Sequence, residues 1–316
     1  MNNIVRIIPR IDVKGPNVVK GLQFDGFRVL GTAEEFSEIY YNEGADELIY
    51  SDTVASLYQR NSFLDVIRRI ANKIFIPLTV AGGLRSLDDI KQVLRAGADK
   101  VAINTAAVKT PELLKQAVKA FGSQCVVSSI EAYRHENGQY EIWVDYGRQP
   151  TGIDVFDWIK RVLKLGVGEI LVTSINNEGM GNGYDIELIS KISSLVSVPV
   201  IACGGAGQKK DFVNAVKGGS ASAVCAASVF HYYYVTPKKS LWMSFNEPRL
   251  RMGEQMDSGN IDFLNFGYGN FKDIMVTPLS ISEVKEFMRR QGIPVRLNSS
   301  HVFKTLSDQR SERINL

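Results

Sequence analysis

Two stretches of the chain, TVAGGLRSLDDI at residues 79–90 and IACGGAGQKKDF at residues 201–212, share one plan: an apolar strand, two adjacent glycines and the start of a helix. They lie 122 positions apart. The same offset aligns two further pairs of segments: ELIYSDT (47–53) with EILVTSI (169–175), and GADKVAINTA (97–106) with GSASAVCAAS (219–228). The sequence therefore predicts two equivalent half-domains that carry related ligand sites.

Short apolar runs alternate with amphipathic segments along the whole chain. Eight runs are apolar almost throughout, at residues 4–13, 47–52, 75–83, 100–106, 124–132, 169–175, 198–205 and 221–228. Helical spacing follows at residues 33–44, 63–74, 87–97 and 110–122. Strands that are apolar on both faces indicate a parallel sheet covered by helices. Eight such units predict an α/β fold of the (β/α)8 barrel type, a single domain over residues 1–297.

Two segments depart from this alternation. Residues 232–278 follow the eighth strand without a clear helical or strand period. We interpret them as a long insertion in the last βα connection, which lies on the catalytic face of such a barrel. SISEVKEFMRRQG (280–292) then has the spacing and serine cap of the eighth helix. Residues 298–316 are predicted to form a polar, poorly ordered tail.

Composition excludes several classes of protein. The chain has 316 residues, is 45% apolar and carries a net charge of +3 without a long basic run, which argues against a nucleic-acid partner. Its three cysteines lie in apolar runs, as expected of reduced thiols in a cytoplasmic protein. The N-terminus lacks the pattern of a signal peptide, and no apolar run is long enough to cross a membrane. Three scattered histidines predict no metal site.

The two glycine pairs predict anion sites. Glycines between a strand and a helix allow backbone N–H groups to approach a phosphate closely. Gly83, Asn104 and Thr105 form one such set at the ends of neighbouring strands, and Gly205 and Ser228 form the equivalent set in the other half. The alternative is that these glycines only make tight turns.

Strand periodicity predicts which side chains enter the barrel. Arg6, Ile8, Arg10 and Asp12 share one face of the first strand, because side chains alternate with period two. The same rule directs Glu131 inward at the end of the fifth strand, across the barrel from Asp12. The two carboxyl groups are predicted to flank a ligand as a general acid and base. The alternative is a pair of solvated carboxylates at strand ends.

Charged residues also begin four of the strands. These are Arg6, Glu47, Lys100 and Glu169. They either form a closed ring at the bottom of the barrel, which gates a small polar molecule, or simply solvate that end.

Taken together, the ordered motifs resemble the HisF family, the cyclase subunits of imidazole glycerol phosphate synthase. The resemblance rests on RIIPRIDVKGPNVVKG (6–21), GADELIYSDTVAS (44–56), GGLRSLDDIKQVLRAGADKVAINTAAV (82–108), FGSQCVVSSIEA (121–132) and GEILVTSINNEGMGNGYD (168–185). It covers residues 3–231 and resumes at 280–297. It implies a barrel that receives ammonia from a HisH-like glutaminase and uses it on a bis-phosphorylated ribotide, without a metal or organic cofactor.

The resemblance also implies individual roles. Asp12 and Glu131 match the catalytic positions, and Asp99 matches a residue that contacts the glutaminase. Arg6, Glu47, Lys100 and Glu169 match the ammonia gate. The implied substrate and phosphate sites comprise Lys20, Gly83, Asn104, Thr105, Thr173, Glu178, Gly205 and Ser228.

Three features differ from the family pattern. IEAY (130–133) stands where IDAK is usual, so that Glu131 replaces an aspartate and Tyr133 a lysine. NNEGM (176–180) replaces D-x-D-G-T, and the family lacks the long insertion. These differences leave three hypotheses: a cyclase of the HisF type, a paralogue that delivers ammonia to a separate amidotransferase acting on surface-polysaccharide sugars, or a silent scaffold that only activates the glutaminase.

Overall fold

A computed structural model describes residues 4–15, 17–53, 64–235 and 275–297. Its strands are β1 (Arg6–Lys14), β2 (Asn17–Leu22), β3 (Asp25–Thr32), β4 (Leu48–Asp52), β5 (Leu78–Ala81), β6 (Lys100–Ile103), β7 (Val126–Arg134), β8 (Tyr140–Val144), β9 (Gln149–Asp154), β10 (Glu169–Ser174), β11 (Val200–Cys203) and β12 (Ala223–Ala226). Its helices are α1 (Ala33–Asn42), α2 (Leu64–Ala71), α3 (Leu87–Arg95), α4 (Thr105–Lys109), α5 (Glu112–Phe121), α6 (Val155–Lys164), α7 (Ile186–Leu195), α8 (Lys209–Lys217), α9 (Ser228–Val235) and α10 (Ile281–Arg290).

Eight parallel strands close on themselves. The hydrogen-bonded order is β1, β4, β5, β6, β7, β10, β11 and β12, and β12 pairs again with β1. The predicted (β/α)8 barrel is confirmed, and each of the eight apolar runs supplies one of its strands.

Alternation along each strand divides the core into two shells. Ile7, Ile11 and Val13 of β1 pack outward against the helices, whereas Ile8 joins the barrel interior. Val127 of β7 lies in the same interior layer. The predicted inward face of these strands is therefore confirmed, because neighbouring side chains on a strand point to opposite faces.

Two antiparallel hairpins, which were not expected from the sequence, extend the barrel at its mouth. β2 and β3 follow β1, and β8 and β9 follow β7. β1 and β7 have nine residues each, so their ends project beyond the barrel and can pair with a returning chain. Their turns contain non-glycine residues at positive φ, including Phe24 and Tyr146, rather than the Asn-Gly signal that marks most hairpins.

The last helix has the predicted cap. The Ser280 hydroxyl accepts a hydrogen bond from the Glu283 N–H, and the Glu283 carboxylate accepts one from the Ser280 N–H. Helix α9 continues through Val235, so the first four residues of the predicted insertion are helical. Most of that insertion, residues 236–274, and the predicted tail, residues 298–316, lie outside the described residues.

Candidate active site at the barrel mouth

The amino ends of the strands carry a closed ring of ion pairs. Arg6 Nη1 lies 2.6 Å from Glu47 Oε2, and Arg6 also pairs with Glu169. Lys100 Nζ lies 3.0 Å from Glu47 Oε2 and 2.9 Å from Glu169 Oε2. The hydroxyl of Thr79 donates to Glu47 Oε1 at 2.6 Å. Two cations and two carboxylates thus alternate around the barrel axis, which is the closed-ring alternative of the two that the sequence left open.

Asp99 lies beside this ring on the exposed surface. Its carboxylate accepts a hydrogen bond from the Leu78 N–H at 2.8 Å. The contact ties the start of β6 to the start of β5, whose neighbouring positions hold Lys100 and Thr79.

Above the ring the barrel interior is apolar. Every strand of the barrel contributes to this layer, whose buried members are Ile8, Ile49, Ala102, Val127, Leu171, Ile201, Cys203, Ala223 and Cys225. Apart from its two cysteine thiols, this layer offers no hydrogen-bonding groups to hold a polar solute or an ion. It separates the charged ring from the polar groups at the mouth.

A buried cluster of four charges occupies one side of the mouth. Arg10 Nε lies 3.0 Å from Asp12 Oδ1, and Arg10 Nη2 lies 3.0 Å from Glu178 Oε1. Lys20, from the hairpin strand β2, pairs with Glu178 and lies 4.0 Å from Asp12 Oδ2. Burial alone would raise the pKa of Glu178, but the charges of Arg10 and Lys20 outweigh it and hold that pKa at about 2.

Glu131 lies on the other side of the mouth in a different environment. Its Oε2 accepts a hydrogen bond from the Gly147 N–H at 2.7 Å, and the Asn104 side chain also bonds to it. Burial raises the pKa of Glu131 to about 7, against the opposing effects of the Gly147 N–H and the Arg10 charge. A carboxyl group with a pKa near neutrality is suited to both donating and accepting a proton.

This difference gives a prediction for stability against pH. The folded state binds the Glu131 proton more tightly than the unfolded chain, so the stability from this group is present below pH 4.5 and is lost as the pH rises through 7. Glu131→Gln is therefore expected to raise the free energy of unfolding by about 2 kcal/mol at pH 8 and to change it little at pH 5. Urea unfolding at both pH values measures this, with the exposed Glu112→Gln as control. Equal effects at pH 5 and pH 8 would contradict it.

A cavity of about 340 Å³ opens beside Glu131 on the half of the barrel formed by β4 to β7. Gly83, Asn104 and Thr105 line it, together with Arg85 and Lys109, and the phosphate site expected there stays a prediction. The hydroxyl of Thr105 accepts a hydrogen bond from the Asp145 N–H at 2.9 Å, and the Asn104 amide donates to the Trp143 carbonyl at 3.1 Å. The hairpin of β8 and β9 is therefore fixed to the wall of this cavity.

The equivalent position in the other half is much smaller. Gly205 and Ser228 line a cavity of about 10 Å³, bordered by Glu178. Thr173 lies buried on β10 and bonds to Cys203. The pseudo-symmetric halves thus differ at the mouth within the described residues: one has a cavity of about 340 Å³, and the other has one of about 10 Å³ that Glu178 borders.

The glycine pairs have a structural requirement of their own. Gly82 and Gly205 have φ values of +96° and +104°. A Cβ atom on Gly82 would lie 2.3 Å from the Asp52 carbonyl oxygen, and one on Gly205 would lie 2.1 Å from the Gly183 carbonyl oxygen. The tight turn therefore explains these glycines without a ligand, and the phosphate assignment depends on the cavity beside them.

Three residues of the mouth were absent from the sequence-based set of site residues. Arg10 shares the inward face of β1, so the parity rule already placed it there without revealing its partners. Phe24 and Tyr146 come from the two hairpins and pack with ring centroids 4.4 Å apart. The Tyr146 hydroxyl bonds to Asp12, and the guanidinium of Arg10 lies 5.6 Å from the Phe24 ring centre.

Tyr133 lies outside the charged cluster. Its ring stacks on Trp143 with centroids 4.5 Å apart and an interplanar angle of 23°. The residue that replaces the usual lysine therefore belongs to an aromatic wall between β7 and β8, at the edge of the mouth.

The described ranges contain no candidate metal cluster and no candidate membrane span. No group of three or more His, Cys, Asp and Glu side chains there is arranged to hold a metal ion. No described helix is both long and apolar enough to cross a membrane. The absence of a cofactor stays a prediction.

A closed barrel of two equivalent halves, with carboxyl groups and a cavity at the carboxyl ends of its strands, defines a (β/α)8 barrel enzyme. The family model described as "Histidine biosynthesis protein" matches residues 6–236. An imidazole glycerol phosphate synthase subunit HisF from Legionella pneumophila is 55% identical over 208 residues, which are 66% of this chain and 98% of that relative. The subunit HisF of Natranaerobius thermophilus is 46% identical over 234 residues, which are 74% of this chain and 93% of that relative. The chain belongs to the histidine biosynthesis protein family and is a HisF-like protein.

Proposed function

We propose that this protein is the cyclase subunit of a glutamine amidotransferase complex of the imidazole glycerol phosphate synthase type. Ammonia released by a HisH-like glutaminase enters at the amino ends of the strands. At the mouth it reacts with phosphoribulosyl-formimino aminoimidazole carboxamide ribotide, which carries two phosphates. The products are imidazole glycerol phosphate and aminoimidazole carboxamide ribotide.

One observation carries this proposal: the three layers along the barrel axis. A ring of Arg6, Glu47, Lys100 and Glu169 closes one end, an apolar layer follows, and two carboxyl groups lie at the other end. Neutral ammonia crosses an apolar layer more readily than ammonium, because the ion pays the larger desolvation cost. The arrangement supports entry of ammonia at one end and its consumption at the other.

The glutaminase partner fits the exposed end of the barrel. Asp99 lies at the surface next to Lys100 of the ring, so a subunit that contacts Asp99 would deliver ammonia directly to the gate. The names of the two relatives, each a subunit of a synthase, support the existence of such a partner.

The substrate would use the cavity beside Glu131 for one of its phosphates. Arg85 and Lys109 supply positive charge, and the N-terminal turn of α4 follows Asn104 directly. Asp12 and Glu131 approach the reacting atoms from opposite sides of the mouth. The second phosphate requires the turn at Gly205 and Ser228.

Turnover with ammonium salts tests the proposal without the glutaminase. The full-length protein is incubated with the ribotide and saturating ammonium at pH 8, and formation of the two products is followed by chromatography. We expect steady turnover. Its absence in a folded sample contradicts the cyclase proposal.

The small second cavity favours one other candidate, the paralogue that passes ammonia to a separate amidotransferase. At about 10 Å³ the space holds roughly one water molecule, and the Glu178 carboxylate would repel a phosphate there. An acceptor with fewer phosphates, or one bound to another protein, does not need this space. Ammonium-dependent turnover of the ribotide would argue against this candidate, and ammonia release at the mouth without ribotide turnover would support it.

A further inference from the structure

We propose that Arg10 is a positioning residue, which fixes the Asp12 carboxylate at the barrel axis so that Glu131 is the group that exchanges protons with the substrate. The inference rests on the proposed cyclase function and assigns different roles to the carboxyl groups of Asp12 and Glu131.

The contacts of Arg10 define its role. Its Nε and Nη2 atoms each lie 3.0 Å from a different oxygen of Asp12, and Nη2 also donates to Glu178 at 3.0 Å. Its Nη1 donates to the Cys203 sulfur at 3.2 Å. The side chain therefore links β1 to the ends of β10 and β11, and both oxygens of Asp12 face one rigid guanidinium.

Because Arg10 and the carboxylates around it are buried, each needs the other as an ion-pair partner. Arg10 is only 4% exposed and Asp12 only 1%. A buried guanidinium without carboxylates would carry a large desolvation cost, and so would the carboxylates without it. The Phe24 ring covers the guanidinium from the side of the hairpin, which limits exchange with water.

Two further groups approach Asp12: Lys20 from β2 and the Tyr146 hydroxyl from the turn between β8 and β9. Glu178, from the loop after β10, shares the cations Arg10 and Lys20 with it. Asp12 is thus held by a cation on its own strand, a second cation and a hydroxyl. It supplies a fixed negative charge where positive charge develops on an attacking nitrogen.

Glu131 has no such cation. No ion pair involving it occurs among the described residues, and the charges that act on it are those of Arg10 and the like-charged Asp145. The hydrogen bonds from Gly147 and Asn104 orient its carboxyl group while it faces the cavity. A proton can therefore leave or join Glu131 without breaking an ion pair, which is not true of Asp12.

Arg10→Lys tests the inference because it keeps the positive charge but cannot bridge two carboxylates in the same way. The matched control is Arg95→Lys, on the exposed last turn of α3. In the ammonium-dependent assay we expect kcat to fall about 10-fold to 100-fold in Arg10→Lys, while KM and the limb of the pH profile near 7 remain as in the wild type. A wild-type kcat overturns the inference, and so does loss of the limb near pH 7.

A second readout does not depend on turnover. Carboxyl carbon-13 labelling of aspartate gives an NMR signal for Asp12, assigned by its loss in Asp12→Asn. At pH 7 we expect this signal to shift in Arg10→Lys and to keep its position in Arg95→Lys. An unshifted signal overturns the inference even if the wild type does not convert the ribotide, so its failure and that of the proposed function are distinguishable.

Discussion

Asp12→Asn is expected to lower ammonium-dependent turnover by at least about 1000-fold. Asparagine keeps the shape of the side chain but removes its negative charge. Arg10 and Lys20 then have Glu178 as their shared carboxylate in the cluster, so the mouth becomes net positive where the proposed reaction develops positive charge on nitrogen. The measurement is kcat at saturating ammonium and ribotide.

The control for this variant is Asp157→Asn. Asp157 is exposed on α6, which belongs to the outer layer of helices. It pairs there with Lys160. It should keep the wild-type rate. Turnover by Asp12→Asn within 10-fold of the wild type would exclude Asp12 from the chemistry.

Glu178→Gln has the largest expected effect on stability. Removal of this carboxylate leaves Arg10 and Lys20 buried with Asp12 as the carboxylate they share. Because the pKa of Glu178 is lowered to about 2, its contribution is present above pH 4.5 and is lost as the pH falls toward 2. We expect the variant to lose about 3 kcal/mol of unfolding free energy at pH 7 and progressively less at acidic pH.

Denaturant unfolding at pH 7 and pH 3.5 measures this difference. Glu187→Gln is the matched control, because Glu187 also pairs with two cations, Arg134 and Lys191, but on the surface. Its unfolding midpoint should not change, since solvent screens exposed pairs. A Glu178→Gln midpoint equal to that of the wild type at pH 7 would show that the buried cluster does not stabilise the fold.

The fold was largely predictable because its signals are local. Each apolar run formed a strand, the Ser280 cap began the last helix, and the internal repeat indicated two halves. The hairpins carry weaker signals: β2 pairs with an extension of β1 that has no separate signal in the sequence, whereas the connection between β7 and β8 does contain an Asn-Gly pair, Asn137-Gly138, which is typical of hairpin turns. Their turns have positive φ at Phe24 and Tyr146, two residues from different hairpins whose rings pack together in the mouth.

For the site, the alternation of side chains along each strand predicted which residues point into the barrel, but not which residues they pair with. It directed Asp12, Arg10 and Glu131 inward, yet it could not reveal that Arg10 would pair with Glu178, 168 positions away in the chain. It also could not predict that the cavities beside the two glycine turns differ in size, because the turns are equivalent in the internal repeat. The smaller of the two cavities is bordered by Glu178, whose two cations come from β1 and β2.

The sequence by itself determined the barrel and the inward direction of the carboxyl groups, since each follows from periodicity over a few neighbouring residues, and its internal repeat indicated the two halves. The charged residues that begin four strands were compatible with a ring or with simple solvation, and the structure shows the ring. Only the tertiary structure decided how the two carboxyl groups differ. Asp12 is held by cations from β1 and β2, whereas Glu131 lies beside a cavity without a paired cation among the described residues, and burial raises its pKa to about 7. Burial and ion pairing depend on residues that are distant in sequence and meet only when the barrel closes.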